Sequence, residues 1–298
     1  MDGSDRPPFA GPSVPRYTRD VPAERIAQNL AFINWTLLVG LAVGSAAVVV
    51  IGRLQTDATR GYLAFTAFCA LLFGILAYAS DGVLPVSLGE SPVVADPAWD
   101  SPRRIALAVF CVLTAVLVVA LAQRRRAPIV GVGTMGAGLA VLVLAGLSWG
   151  GSAGGSLALL VQLTALSAAT GGVFAAMVLG HWYLVTPKLG EAPLVLFSRL
   201  LLAVLVAQVL LFVAWLGLGI GPGARPGFAD LFGQSALFVW LRLIVGLLFP
   251  LVVSWAAVRT ARTRSMESAT GLLYINVGTI AAGTILAAGL YFGSGLLV

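Results

Sequence analysis

The chain has 298 residues, of which 59% are apolar and only 10% charged, with a formal net charge of +6. Soluble domains carry about 25% charged residues, so this composition, with a mean hydropathy of +0.98, excludes an ordinary water-surrounded fold. The basic residues sit almost entirely at the ends of apolar runs, where they meet lipid headgroups, so the positive balance argues against a nucleic-acid partner.

Residues 1–29 open the chain with Pro7, Pro8, Pro12, Pro15 and Pro22, mixed charges and no apolar stretch of signal-peptide length. The segment reads as a flexible tail, disordered as far as Val21, with a short proline-led helical lead-in over 22–29.

A helix needs about 20 apolar residues to cross about 30 Å of hydrocarbon. Eight segments meet that requirement: about 31–52, 61–80, 104–122, 128–149, 157–183, 193–219, 236–258 and 269–295. Arg53 and Arg60 bracket the first connection. The Arg124-Arg125-Arg126 triplet and Pro128 separate spans three and four. The string 150–156 (GGSAGGS) links four to five, and Arg259, Arg262 and Arg264 lie between seven and eight. The start of span seven has a second reading, an interfacial helix over 228–240. The expected fold is an all-α, polytopic transmembrane helical bundle of about eight spans, with a tail over 1–29 and a single transmembrane domain over 30–298.

Small residues recur at helix-packing spacing: Gly40 and Gly44 in span one, Gly133/Ala137 and Gly136/Ala140 in span four, and Ala168, Gly172, Ala176 and Gly180 in span five. No internal repeat is convincing in the sequence, although a four-plus-four arrangement is compatible with it. Cys69 and Cys111 both fall inside spans and read as packing residues.

The connections after spans one, three, five and seven hold nine basic residues, and those after two, four and six hold three. Positive-inside asymmetry places the former in the cytoplasm and both termini outside. Arginine dominates the basic residues, with Lys188 the single lysine. That usage, with abundant Ala, Gly and Val, points to a high-GC bacterial genome and a multi-pass protein of the cytoplasmic (inner) membrane.

His181 is the single histidine. One histidine rules out a bis-histidine haem or a multi-histidine copper site within this chain and leaves the cofactor unknown. Met177, one helical turn earlier, permits a His/Met pair; an interfacial histidine beside Trp182 and Tyr183 is the simpler reading. His181 and Arg199 share one end of the bundle, with Lys188 and Glu191 between them. Glu267, Tyr274 and Asn276 approach from span eight. This group is a candidate contact for a quinone, a lipid or an anion, with Arg199 pairing Glu267, Glu191 or the ligand. Arg242 lies about 9–10 Å inside span seven at the opposite end. It is expected to snorkel to the surface, to pair with Asp230, or to line a cavity. Pro250 should kink span seven or free a carbonyl for a neighbour. Gln162, Gln208, Asn276 and Thr279 need partners on other helices or in water.

No acidic residue lies deep in a span, no lysine lies in one, and no P-loop, HExxH or GxSxG motif occurs in a suitable context. The reading that fits best is a non-catalytic membrane subunit or scaffold in the bilayer, packed beside other membrane subunits or a second copy of itself. A small-solute transporter or exporter is the alternative. An intramembrane enzyme using His181 as base, oriented by Glu267, is a third.

Overall fold

The computed structural model describes residues 22–124, 127–186 and 189–298. The tail expected to be disordered over 1–21, two arginines of the triplet and Lys188 lie outside the described residues. Among those described there is no strand. The chain forms α1 (Pro22–Gln28), α2 (Leu30–Gln55), α3 (Arg60–Asp81), α4 (Asp100–Ala122), α5 (Pro128–Trp149), α6 (Ala153–Val185), α7 (Ala192–Leu218), α8 (Ala236–Leu243), α9 (Phe249–Arg262) and α10 (Met266–Ser294). Helices α8 and α9 are one span joined through a π turn at Ile244–Leu248. Among the described residues, eight helices are therefore long and apolar enough to cross a membrane, with α8 and α9 counted as one. Residues 228–235 form a short 3-10 turn at Ala229–Leu231 and loop, not an interfacial helix.

The spans begin and end where local chemistry dictates. Pro128 and Pro193 stand in the first turns of α5 and α7, where no N–H is needed. The Thr59 and Ser152 hydroxyls cap α3 and α6 by accepting from the backbone N–H of Tyr62 and Gly155. Helix α6, with 33 residues, is about 50 Å long at 1.5 Å per residue and exceeds the hydrocarbon thickness.

The contacts between helices form two rings of four. Helices α2, α3, α4 and α5 pack in sequence, and α5 closes on α2. Helices α6, α7, α8/α9 and α10 repeat that order, and α10 closes on α6. The first helix of each ring joins them, since α2 and α6 share the most extensive interface between the two rings. At this crossing Gly44 lies against the Ser167 carbonyl and Gly171, so closely that a Cβ on Gly44 would stand 2.9 Å from the Gly171 Cα. The GxxxG of α2 therefore brings two backbones together. The other small-residue pairs do less. A Cβ on Gly136 or Gly172 would meet nothing within 4 Å. The close approach on α6 is at Gly171, one position off the Ala168–Gly180 stripe. Of that stripe, Gly180 packs tightly, against Thr270 of α10.

One end of the bundle, here the near end, carries α1, the 82–99 connection, the turn between α5 and α6, residues 219–235 and the segment after Ser294. The connections after Gln55, Ala122, Val185 and Arg262 form the far end. At the near end Trp35, Trp149, Phe32 and Phe292 pack in stacked and edge-on pairs with centroids 4.9–5.7 Å apart. The Tyr291 hydroxyl donates to the Trp149 carbonyl at 2.7 Å, tying α10 to α5.

Candidate functional site

Among the described residues each ring holds one buried arginine, on its third span and toward the near end. In the first ring this is Arg103, 2% exposed. Its Nε donates to Asp81 Oδ2 at 2.9 Å, and its Nη1 donates to Asp100 Oδ1 and to the Ser148 hydroxyl, each at 2.9 Å. The guanidinium carbon lies 4.6 Å from the Trp149 ring centroid and 5.7 Å from that of Trp35. Asp81 ends α3, Asp100 begins α4 and Ser148 is in the last turn of α5, so one side chain clamps three helices. A buried guanidinium is tolerated because a carboxylate, a hydroxyl and aromatic faces replace its water. The 82–99 connection is tied in as well, through the Asp96 N–H donating to the Ser148 carbonyl at 2.8 Å.

In the second ring it is Arg242, 1% exposed. Snorkelling and pairing with Asp230 are both corrected by the structure. Asp230 instead accepts from the backbone N–H and Nε of Arg225, at 2.9 and 3.0 Å. The Arg242 Nη2 donates to Gln208 Oε1 at 2.7 Å, its Nη1 to the Gly246 carbonyl at 3.2 Å and its Nε to the Val298 main-chain oxygen at 3.4 Å. The Gly246 carbonyl is free because Pro250, four residues on, has no N–H to offer it and its ring crowds that position. Gly246 lies within the π turn, which ends two residues before Pro250. Two close-packed glycines make room for the guanidinium: a Cβ on Gly246 would stand 2.6 Å from the Gly283 Cα of α10.

The segment after α10 completes this centre. Gly295, at φ +68°, reverses the chain, a conformation that favours glycine. Leu296, Leu297 and Val298 then tuck back into the bundle at 3% exposure or less. Gln162 Nε2 donates to the Val298 main-chain oxygen at 2.5 Å, and Gln162 Oε1 accepts from the Trp215 indole at 3.1 Å. Gln208 Nε2 donates to the Ala165 carbonyl at 2.9 Å. Both glutamines thus link helices, as expected. Thr279 does not: its hydroxyl donates to main-chain oxygens of its own helix.

The residues singled out from the sequence are only partly brought together. His181 and Tyr274 meet on an exposed face, with Nδ1 and the phenolic oxygen 3.5 Å apart. Glu267 is exposed at the start of α10 and lines a cavity of about 580 Å³ with Tyr183, Arg264 and Met266. Arg199 is exposed on α7 and makes no ion pair among the described residues. Glu191, one of its two expected carboxylate partners, pairs with Arg264 at 3.3 Å. Asn276 is fully buried and donates to the Ser254 hydroxyl at 2.7 Å and the Pro250 carbonyl at 3.3 Å, bracing α10 against α9. Arg242 belongs to the near end. Cys69 and Cys111 are free and partly buried. Among the described residues no group of three or more His, Cys, Asp or Glu is placed to hold a metal.

A cavity of about 780 Å³ opens at the near end. Arg25, Glu90, Arg225, Asp230, Gln234 and Ser235 line it, and Ser294 and Leu296 contribute from the reversed segment. Arg103, Asp81 and Asp100 are not among the site residues singled out from the sequence. The available signal was the placement of Asp100 and Arg103 one turn apart at the head of a span. The partners Asp81 and Ser148 are distant in sequence and carry no such signal.

The architecture is that of a multi-pass α-helical integral membrane protein. No protein family, no curated protein and no solved structure matches the chain.

Proposed function

We propose that the protein is a non-catalytic membrane subunit, an eight-span scaffold whose working surface is the near end. The supporting observation is the fate of its intramembrane polar groups. The guanidinium of Arg242 is enclosed by a glutamine and two main-chain oxygens, and Asn276 by a hydroxyl and a carbonyl. These groups hold helices together and are not turned toward an open polar path, as a solute pathway would need. The near end combines two clamped arginine centres with a polar cavity whose walls carry both signs of charge. Such a surface suits a protein partner presenting its own charged and hydrogen-bonding groups.

The test is purification in mild detergent followed by mass spectrometry and light scattering. A second chain, or a second copy of this one, retained in stoichiometric amount supports the scaffold reading. A lone monomer whose reconstituted vesicles take up a solute, with uptake abolished by Arg242→Leu, overturns it in favour of a transporter.

A second reading concerns the far end. The exposed His181–Tyr274 pair, with Arg199 on α7 and Glu267 on α10, offers donors at headgroup depth for a quinone carbonyl, a lipid or an anion. Its test is an optical and lipid-extract analysis of the purified protein and its His181→Ala variant, which should lose the bound species.

A further inference from the structure

A groove of about 480 Å³ runs down the outer face of α4 beside Tyr78 of α3. Its floor is Ile105, Ala108, Val109, Val112 and Leu113, a 3–4 spacing that puts them along one helix face. From Ser101 to Leu113 the groove covers about 18 Å at 1.5 Å per residue, close to the roughly 15 Å of one leaflet's hydrocarbon. Ala108 deepens it midway. The near-end mouth is polar: Ser101 and Arg104 stand there, both exposed. The Arg104 guanidinium carbon lies 4.8 Å from the Tyr78 ring centroid, and its nitrogens rest against Gly82, where a Cβ would be 2.7 Å away. Unlike its neighbour Arg103, Arg104 has no carboxylate within ion-pair distance among the described residues. A cation held in place at the mouth of an apolar channel on a lipid-facing surface has a charge to complete and a chain-shaped space below it.

We propose that this groove is a site for one glycerophospholipid of the near-end leaflet, its phosphodiester held by Arg104 and Ser101 and an acyl chain lying along α4 from Ile105 to Leu113. Arginine suits this role because its fork of N–H donors matches phosphate oxygens, and the Tyr78 ring holds the guanidinium in position. The site lies at the opposite end from His181 and Arg199 and does not depend on the function proposed above.

The experiment is native mass spectrometry of the full chain in detergent, titrated with palmitoyl-oleoyl phosphatidylglycerol and, separately, with the matching diacylglycerol, which lacks the phosphate. One phosphatidylglycerol molecule should be retained at low excess, and the diacylglycerol should not. Arg104→Gln should weaken retention about fivefold, with Arg104→Lys recovering part of it. Ala108→Trp should weaken it by filling the groove without touching the charge. Arg60→Gln, an exposed arginine at the far end, should leave retention unchanged. If Arg104→Gln fails to fold, Ala108→Trp still decides. Equal retention of the diacylglycerol, or wild-type retention by the folded variants, would overturn the proposal.

Discussion

Replacing Arg103 by methionine keeps much of the side-chain volume but leaves Asp81 without its cation. The Asp81 and Arg103 side chains are each 3% exposed and joined at 2.9 Å, while Asp100 is 51% exposed. Removing one partner of a buried pair costs about 3–5 kcal/mol, because the remaining charge has no water to return to. Arg103→Met should therefore destabilise by about that amount. Asp81→Asn should be comparably costly, because it leaves the guanidinium with only the half-exposed Asp100 as a carboxylate partner. Asp100→Asn should cost no more than about 1 kcal/mol, since water screens its contact. The double variant Arg103→Met/Asp81→Asn should be less damaged than the sum of the singles, with a coupling energy of about 2–3 kcal/mol. Reversible unfolding of the detergent-solubilised protein in increasing SDS, followed by circular dichroism, supplies these differences. Additive effects, or single losses below about 1 kcal/mol, would refute the view that this pair clamps α3 to α4.

The α2–α6 crossing gives a sharper steric test. Gly44→Ala drives a methyl onto the Ser167 carbonyl and should lower stability by about 1–3 kcal/mol or more, whereas Gly136→Ala, which meets nothing within 4 Å, should be neutral in the same assay. For the second arginine, Val298→Cys in a background lacking Cys69 and Cys111 should resist maleimide, because Val298 is 1% exposed. Adding Arg242→Leu should release the reversed segment and make that thiol reactive; continued protection would show that the Arg242 contacts do not hold it. The arginine bias predicts that Asp57→Cys is shielded from an impermeant thiol reagent in intact cells while Val86→Cys is labelled, and the reverse pattern inverts the topology. His181→Ala should change stability by less than about 0.5 kcal/mol, as expected for an exposed side chain away from packing.

Span number and span ends were legible in the sequence, because the bilayer imposes a length and an apolarity that local composition must satisfy. The eight segments read from hydropathy match the observed helices closely, including the start at Pro128 and the end at Trp149. The freed carbonyl near Pro250 was also legible, since proline's missing N–H is a property of one residue. What composition left open were the partners. Gly40/Gly44 and Gly133/Ala137 look alike in sequence, yet only the first pair meets an opposing backbone, because closeness depends on what the facing helix presents. Arg242 and Arg199 each lie about six residues inside a helix, yet one is wholly buried and the other exposed. That difference is rotational. Facing α7 and the reversed segment, Arg242 finds Gln208 and the Val298 main-chain oxygen, while Arg199 finds only the outer surface. In a membrane the apolar environment is everywhere, so hydropathy tells how deep a residue sits but not which neighbour it faces; that second answer comes only from the packing of distant helices.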